Sequence, residues 1–241
     1  LKFGTSVLAL PLRNPTVLAK EIATLDFLSG GRALPAIGLG TEEENEYEAC
    51  GVSKSERAGR TDEAMEIMRR LWSEDEVAHR GKYYTLNHVS VQPRPVQQPM
   101  PIWVGGRSEA ALRRVGRIGD GWLVSQVTPN EVRRGIQTIK AIADESGNDI
   151  EEDHYGVLFN YCIADTRAEA EKLAVNHMPF GRKDVVAGEL SALGNPDNIN
   201  DRIQEYVDAG ATKFVLRSAC PPEMLTQQLA LLGEFVIPKF H

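Results

Sequence analysis

Pro101-Ile102-Trp103-Val104-Gly105-Gly106-Arg107-Ser108-Glu109-Ala110-Ala111 passes from a short apolar strand through two glycines straight into a helix. Glycine carries no Cβ, so a ligand can approach the backbone, and the first helical amides are unpaired with positive partial charge. Arg107 adds a fixed cation and Ser108 a hydroxyl, which together make a phosphate cradle. The same residues suit an ordinary tight turn with Ser108 as N-cap, and this segment alone leaves both readings open.

Outward from this stretch the same alternation recurs. Residues 3–10 are apolar without alternation and read as a buried parallel strand. Asn14-Pro15 supplies an N-cap and a first-turn proline, Leu18, Ile22, Leu25 and Leu28 share one face, and Gly30-Gly31 stops the helix. A strand follows at 33–39 and a helix at 55–72. Residues 77–101 break the rhythm: Pro93, Pro95, Pro99 and Pro101 mark an excursion with short strand-like pieces. Beyond the opening stretch come a strand at 121–125, a capping box at Thr128–Glu131, a strand at 156–164 and a second capping box at Thr166–Glu169. Asn195-Pro196 opens a helix that Gly210 closes, and a strand at 213–217 and a helix at 222–236 end the chain.

Strands alternating with helices imply a parallel sheet with helical crossovers, either a barrel or an open doubly wound sheet. The strand count is about six of the eight in a (β/α)8 TIM barrel. With Leu1 in place of Met, the chain is expected to be a single domain over 1–241 that lacks N-terminal βα units. Its 3–10 strand should then sit at an edge covered by a partner chain or by upstream sequence, which favours a homo-oligomer.

Composition narrows the function classes. The chain has 241 residues, 42% hydrophobic and 25% charged, enough for one large soluble domain. No run reaches the roughly 18 apolar residues of a membrane span, and the first ten residues lack a basic leader. A net charge of −7 disfavours nucleic acid as partner. Cys50, Cys162 and Cys220 are scattered and odd in number, which suits free thiols in the cytoplasm. The histidines, His241 among them, show no metal-ligand spacing, and no metal is expected. Neither a nucleophile elbow nor a Walker loop occurs. Trp72, Trp103 and Trp122 read as core aromatics. A chain so poor in self-sufficient catalytic groups points to a borrowed cofactor and a small-molecule substrate.

Two further segments are candidates. Gly38-Leu39-Gly40-Thr41-Glu42-Glu43-Glu44 lacks the third glycine of a dinucleotide fingerprint. It reads as a sharp turn at a strand's C-terminal end, where Glu42 or Glu43 is either a catalytic carboxylate or part of a solvated helix start. Gly4-Thr5-Ser6-Val7 puts small polar residues inside a strand, where they meet either a ligand or internal hydrogen bonds at a bulge.

The run 23–32 (ATLDFLSGGR) with Gly38-Leu39-Gly40 resembles a segment of the luciferase-like monooxygenase family. Glu46-Tyr47, Gly51-Val52, Arg57, Glu63, residues 93–97, residues 102–108 and Gly119-Asp120-Gly121-Trp122 continue the pattern. The resemblance implies a (β/α)8 barrel that binds FMN or coenzyme F420 at the strands' C-terminal ends, with Gly105, Gly106, Arg107 and Ser108 on the cofactor phosphate. It also implies a non-proline cis peptide at Ser6-Val7 or its neighbour, backing the ring with Thr5, Ser6 and Val7. The implied activity is that of a flavin- or deazaflavin-dependent oxidoreductase, with a non-catalytic binding protein as the alternative.

Overall fold

Residues 3–10 do not form one strand. In this computed structural model, which describes residues 2–178 and 182–240, they form β1 (Phe3–Gly4) and β2 (Leu8–Ala9), followed by a 3-10 turn. Leu1 and His241 lie outside the described residues. The cause of the break is Thr5. Its hydroxyl donates to the Ala36 carbonyl at 2.7 Å and accepts from the Ala36 amide at 2.9 Å. A side chain thus replaces the ladder at that point. Phe3 and Val7, expected to be buried, are 43% and 41% exposed.

Contacts divide the chain into two units, Leu1–Leu123 with Ile142–Ile150, and Val124–Ala141 with Glu151–His241. The first continues with α1 (Pro15–Ser29), β3 (Ala33–Leu34), β4 (Ala36–Gly38), α2 (Glu44–Ala49) and α3 (Arg57–Ser73). The excursion carries β5 (Val77–Arg80) and β6 (Thr85–Val89), an antiparallel pair. Then come β7 (Trp103–Gly105), α4 (Glu109–Ile118) and β8 (Gly121–Ser125), whose last two residues belong to the second unit. Strands β2, β4, β7 and β8 pair in parallel in that order, with Leu8, Ile37, Val104 and Trp122 in register. β1 pairs separately with β3.

Helix α1 starts and stops as read. Asn14 Oδ1 accepts from the amides of Thr16 and Val17, and Gly30 closes the helix at φ +66°. Its buried stripe is Leu18, Ile22 and Asp26, whereas Leu25 and Leu28 are exposed. The reason is Asp26, fully buried and held by three donors. These are the Ala33 amide at 3.2 Å, the Gln97 amide at 3.0 Å and Gln97 Nε2 at 2.8 Å. One carboxylate therefore ties the helix end, β3 and the proline-rich loop together.

Helix α5 (Pro129–Ser146) belongs to both units. The second unit holds β9 (Tyr155–Ile163), α6 (Arg167–Ala174), β10 (Ser191–Gly194), α7 (Pro196–Asp208), β11 (Lys213–Ser218) and α8 (Leu225–Leu231). β9 lies between β10 and β11, parallel to both. The short β10 was not legible in the sequence. The Thr128–Glu131 capping box forms in both directions. At Thr166 only the bond from the Glu169 amide forms, and the reciprocal box belongs instead to Asn195 and Asn198. The helix expected at 222–236 is α8 between a 3-10 turn and a π turn. No helix among the described residues is long and apolar enough to cross a membrane.

The cysteine reading needs correction. Cys162 and Cys220 form a disulfide, and Cys50 is free and exposed. Pairing of Ser218 with Tyr161 carries Cys220, two residues further on, beside Cys162, with Cα atoms 5.6 Å apart. Spatial adjacency comes from strand register, which a 58-residue separation in sequence hides. By the chain-entropy model a loop of that length is worth about 4 kcal/mol, and measured disulfides give roughly 2–4. Reduction of the protein, or Cys162→Ala, is expected to lower urea stability by that amount. A denaturation midpoint unmoved by reductant would count against the bond.

Candidate functional site

The three glycine-containing segments singled out in the sequence converge at Val7. A Cβ on Gly38 would stand 2.7 Å from Val7 Cγ2, and one on Gly105 would stand 3.2 Å from Val7 Cγ1. Val7, the residue before β2, therefore comes as close as it does to the last residues of β4 and β7 because those two residues lack a side chain. The Ser6–Val7 peptide bond is cis, at the position the resemblance implied. Thr5 spends its hydroxyl on Ala36, while Ser6 is exposed.

Past Gly105 the backbone turns at Gly106, φ +109°, where a Cβ would also come within 2.9 Å of Ala111 Cβ. The Gly106 carbonyl accepts from Trp122 Nε1 at 2.8 Å. In a trans peptide the carbonyl and the following amide point in opposite directions, so the Arg107 amide faces away from Trp122. Ser108 Oγ accepts from the Ala111 amide at 3.2 Å, and the Leu112 amide bonds the Ser108 carbonyl. The amides of Glu109 and Ala110 find no acceptor among the described residues, nor does the exposed Arg107 guanidinium find a partner there. An exposed helix start with open amides and a free cation is an anion site in waiting. Ser108 is the N-cap of α4, and capping with Oγ leaves the first two amides of the helix open.

Glu42 and Glu43 are placed differently. Glu42 pairs with Arg57 at 2.8 Å and Lys54 at 3.1 Å, and its side chain is 76% exposed. The hydrogen bond from Arg57, then that from Lys54, holds its carboxyl below the usual range. Glu43 is the residue before α2, exposed, with its amide on Thr41 Oγ1. The loop itself is fastened by Tyr47, fully buried, whose hydroxyl lies 2.6 Å from the Leu39 carbonyl and 3.0 Å from that of Thr41. Arg57 also donates to the Thr41 carbonyl. Nothing local in sequence marks Tyr47 and Arg57 for this work, because the carbonyls they hold lie 6 to 16 residues away. Trp122 is buried as expected, but its indole N–H also sets the Gly106 peptide.

A family model described as luciferase-like monooxygenase matches residues 1–218. An uncharacterized protein of Mycobacterium tuberculosis is 38% identical over 148 residues, which are 61% of this chain and 50% of that protein. The chain thus covers half the length of the first relatives it matches. An F420-dependent glucose-6-phosphate dehydrogenase of Kineococcus radiotolerans is 32% identical over 266 residues, 99% of this chain and 77% of the relative. Among solved structures, the coenzyme F420 dependent tetrahydromethanopterin reductase of Methanopyrus kandleri gives a TM-score of 0.79 at 22% identity, covering 100% of this chain and 84% of that one. The oxygenating constituent of 3,6-diketocamphane monooxygenase from Pseudomonas putida, in complex with FMN, gives 0.79 at 19%, covering 100% and 80%. At such identities the likeness speaks for the fold, the luciferase-like barrel type.

Two outcomes are expected. Trp122→Phe leaves the Gly106 carbonyl without its donor, and amide exchange at residues 105–108 should quicken while the global melt shifts little. Unchanged exchange there would show that the indole does not set the turn. Glu42 has a depressed folded-state pKa, so its contribution to the 39–42 loop is complete above the ordinary carboxylate pKa and is lost as pH falls through the depressed value. Protection of that loop, corrected for the intrinsic pH dependence of exchange, should fall in the parent as pH drops below the ordinary carboxylate range; at neutral pH it should be lower in Glu42→Gln than in the parent, and the two should converge in acid.

Proposed function

Because the chain belongs to the luciferase-like monooxygenase family, we propose that it is a flavin- or deazaflavin-dependent oxidoreductase holding the phosphate of FMN or coenzyme F420 at Gly105, Gly106, Arg107 and Ser108. The observation that carries the reading is the helix start at Ser108. It joins a left-handed Gly106 with no room for a Cβ, an Arg107 unpaired among the described residues, and two open amides. Bound there, the ring would supply hydride transfer to or from a small organic substrate or, as a flavin, oxygen-dependent oxidation of one. The relative of Kineococcus radiotolerans, named as F420-dependent, and the Pseudomonas putida structure with FMN support the two cofactors in turn.

The chain's own part is binding and orientation. Arg107 and the amides of Glu109 and Ala110 neutralise the phosphate, with Ser108 fixing the helix start they belong to. Thr5, anchored on Ala36, holds the 5–7 segment in place. Ser6 and Val7 are exposed, with Val7 close to Gly38 and Gly105, and would be the residues offered to the ring of a bound cofactor. Glu42 and Glu43 are the carboxylates assigned to proton movement. The hydrogen bonds from Arg57 and Lys54 that lower the pKa of Glu42 keep it ionised at neutral pH and make it a weak base, so of the two Glu43 is the freer to take up a proton.

Fluorescence titration with FMN and F420 tests the cradle. Arg107→Ala is expected to weaken binding about 10- to 100-fold, the equivalent of a charge-assisted bond worth roughly 1.5–3 kcal/mol, and Gly106→Val to abolish it. Unchanged affinity for both cofactors in both variants would overturn the assignment. Turnover of reduced cofactor under air and under argon separates oxygen-dependent oxidation from hydride transfer. No turnover in either would make the chain a binding protein only.

A further inference from the structure

Strand β9 has two unlike faces, and it lies with its neighbours β10 and β11 in the second unit. Tyr155, Val157, Phe159, Tyr161 and Ile163 alternate onto one face and are all buried. Phe159 stacks on Tyr206 of α7 at 5.1 Å, so helices cover this side. Leu158 and Asn160 belong to the other face and are only half-buried. In register with them on β11 stand Val215 and Arg217, both exposed. This second face thus carries an apolar pair, Leu158 with Val215, and two residues further along the strands a polar pair, Asn160 with Arg217. Beyond these it is closed by Cys162, fully buried against Ala170 and Ala174 of α6. Arg217 is the last residue but one of β11, at the C-terminal end where barrel-type sheets present their working residues.

Neither polar side chain is satisfied within the protein. Asn160 Oδ1 is buried and accepts no hydrogen bond, and Arg217 has no partner among the described residues. Ser191, in register with Asn160 on β10, has its hydroxyl on Met178 Sγ at 3.4 Å. Lys213, on the same face of β11 as Arg217, is committed to Asp153. A buried acceptor without a donor is destabilising, and such groups are rare enough to need a reason. The spacing of the pair is fixed, since neighbouring parallel strands run about 4.8 Å apart. The Ala219 amide donates to the Tyr161 carbonyl at 2.8 Å, and the Cys162–Cys220 bond follows directly, so the two strands are tied together just past the pair. An unpaired guanidinium and an unfilled acceptor are therefore held side by side by a rigid sheet and not by a loop.

We propose that Asn160 and Arg217 bind a small hydroxy-carboxylate. The carboxylate accepts two hydrogen bonds from the Arg217 fork, a hydroxyl donates to Asn160 Oδ1, and the short carbon chain lies over Leu158 and Val215. One guanidinium matches one negative charge. A phosphate dianion would be left half-neutralised, because Lys213 is already engaged. The inference rests on the reading of the chain as an oxidoreductase of a small organic substrate and names the chemical class of that substrate.

Lactate, propionate and lactamide are the probes, read on the whole chain by heteronuclear NMR at the arginine Nε–Hε signals, with Arg217 assigned by its loss in Arg217→Gln. Lactate should shift the Arg217 signal saturably. Propionate, which lacks the hydroxyl, should bind about threefold to tenfold more weakly, and lactamide should not bind. Arg117, exposed and likewise without a partner among the described residues, is the internal reference, and its signal should drift without saturating. Asn160→Leu should bring lactate down to the affinity of propionate, with a thermal melt matching the parent as the check on folding. Arg217→Lys, at an exposed position that needs no repacking, should weaken lactate about tenfold by replacing the fork with a point charge. An Arg217 signal that merely follows Arg117, equal affinities for lactate and propionate in the parent, or equal affinities for lactate and lactamide overturns the proposal. Titration of the same sample with FMN and F420 separates the two readings. Cofactor binding without a response at Arg217 overturns this proposal alone, whereas saturable lactate binding without binding of either cofactor sustains the carboxylate site and overturns the oxidoreductase reading.

Discussion

Val7 packs into the space that Gly38 and Gly105 leave by having no side chains. Any Cβ on Gly38 would overlap the valine, and one on Gly105 would press it from the other side. Through this contact the last residues of β4 and β7 meet the residue that leads into β2, and the turn at Gly106 begins one residue after β7. The helix start at Ser108, the exposed Arg107 and α4 beyond it all take their positions from that approach. A barrel-type sheet presents its working residues at strand ends, and here the strand ends are set by what is missing from two residues as much as by what is present in the third.

Around this point the irregular chain is held by carboxylates. Asp26 collects three donors from β3 and the proline-rich loop. Glu63 does the same for the β5–β6 excursion, accepting from the amides of Tyr83 and Tyr84 while His79 lies at 3.1 Å. Burial works to raise the Glu63 carboxyl, but the Tyr84 amide, His79 and the Tyr83 amide outweigh it and hold it below the usual range. An ionised carboxylate offers up to about four lone-pair directions, so it can replace a missing ladder where the chain is not a strand. The same economy recurs at Glu131, which caps α5 through Thr128 and receives Arg182.

Much of this was legible beforehand where the signal was local. Asn14, Thr128 and Asn195 act as helix caps because a side-chain oxygen two or three residues before an orphan amide has few other uses. Gly30 ends α1 because the left-handed position it takes excludes most residues. The turn and helix start proposed as the cradle could be read from two glycines, an arginine and a serine for the same reason, since their geometry is contained in four consecutive residues. The burial of α1 was misjudged at Leu25 and Leu28, because the partner that turned the helix, Gln97 on Asp26, is 71 residues away.

The alternation of strand and helix, the caps, the excursion at residues 77–101 and the chemistry of the turn after β7 were determined by the sequence by itself, since each depends on neighbours within a few residues. Only the tertiary structure decided that Thr5 would break the first strand on Ala36, that Cys220 would meet Cys162, and that Tyr47 and Arg57 would fasten the loop at Glu42. It alone set Arg217 beside Asn160, with neither side chain satisfied among the described residues. These features depend on register between strands and on which faces of distant helices meet. Such choices are made by the packing of the whole unit, so no local pattern of residue types encodes them.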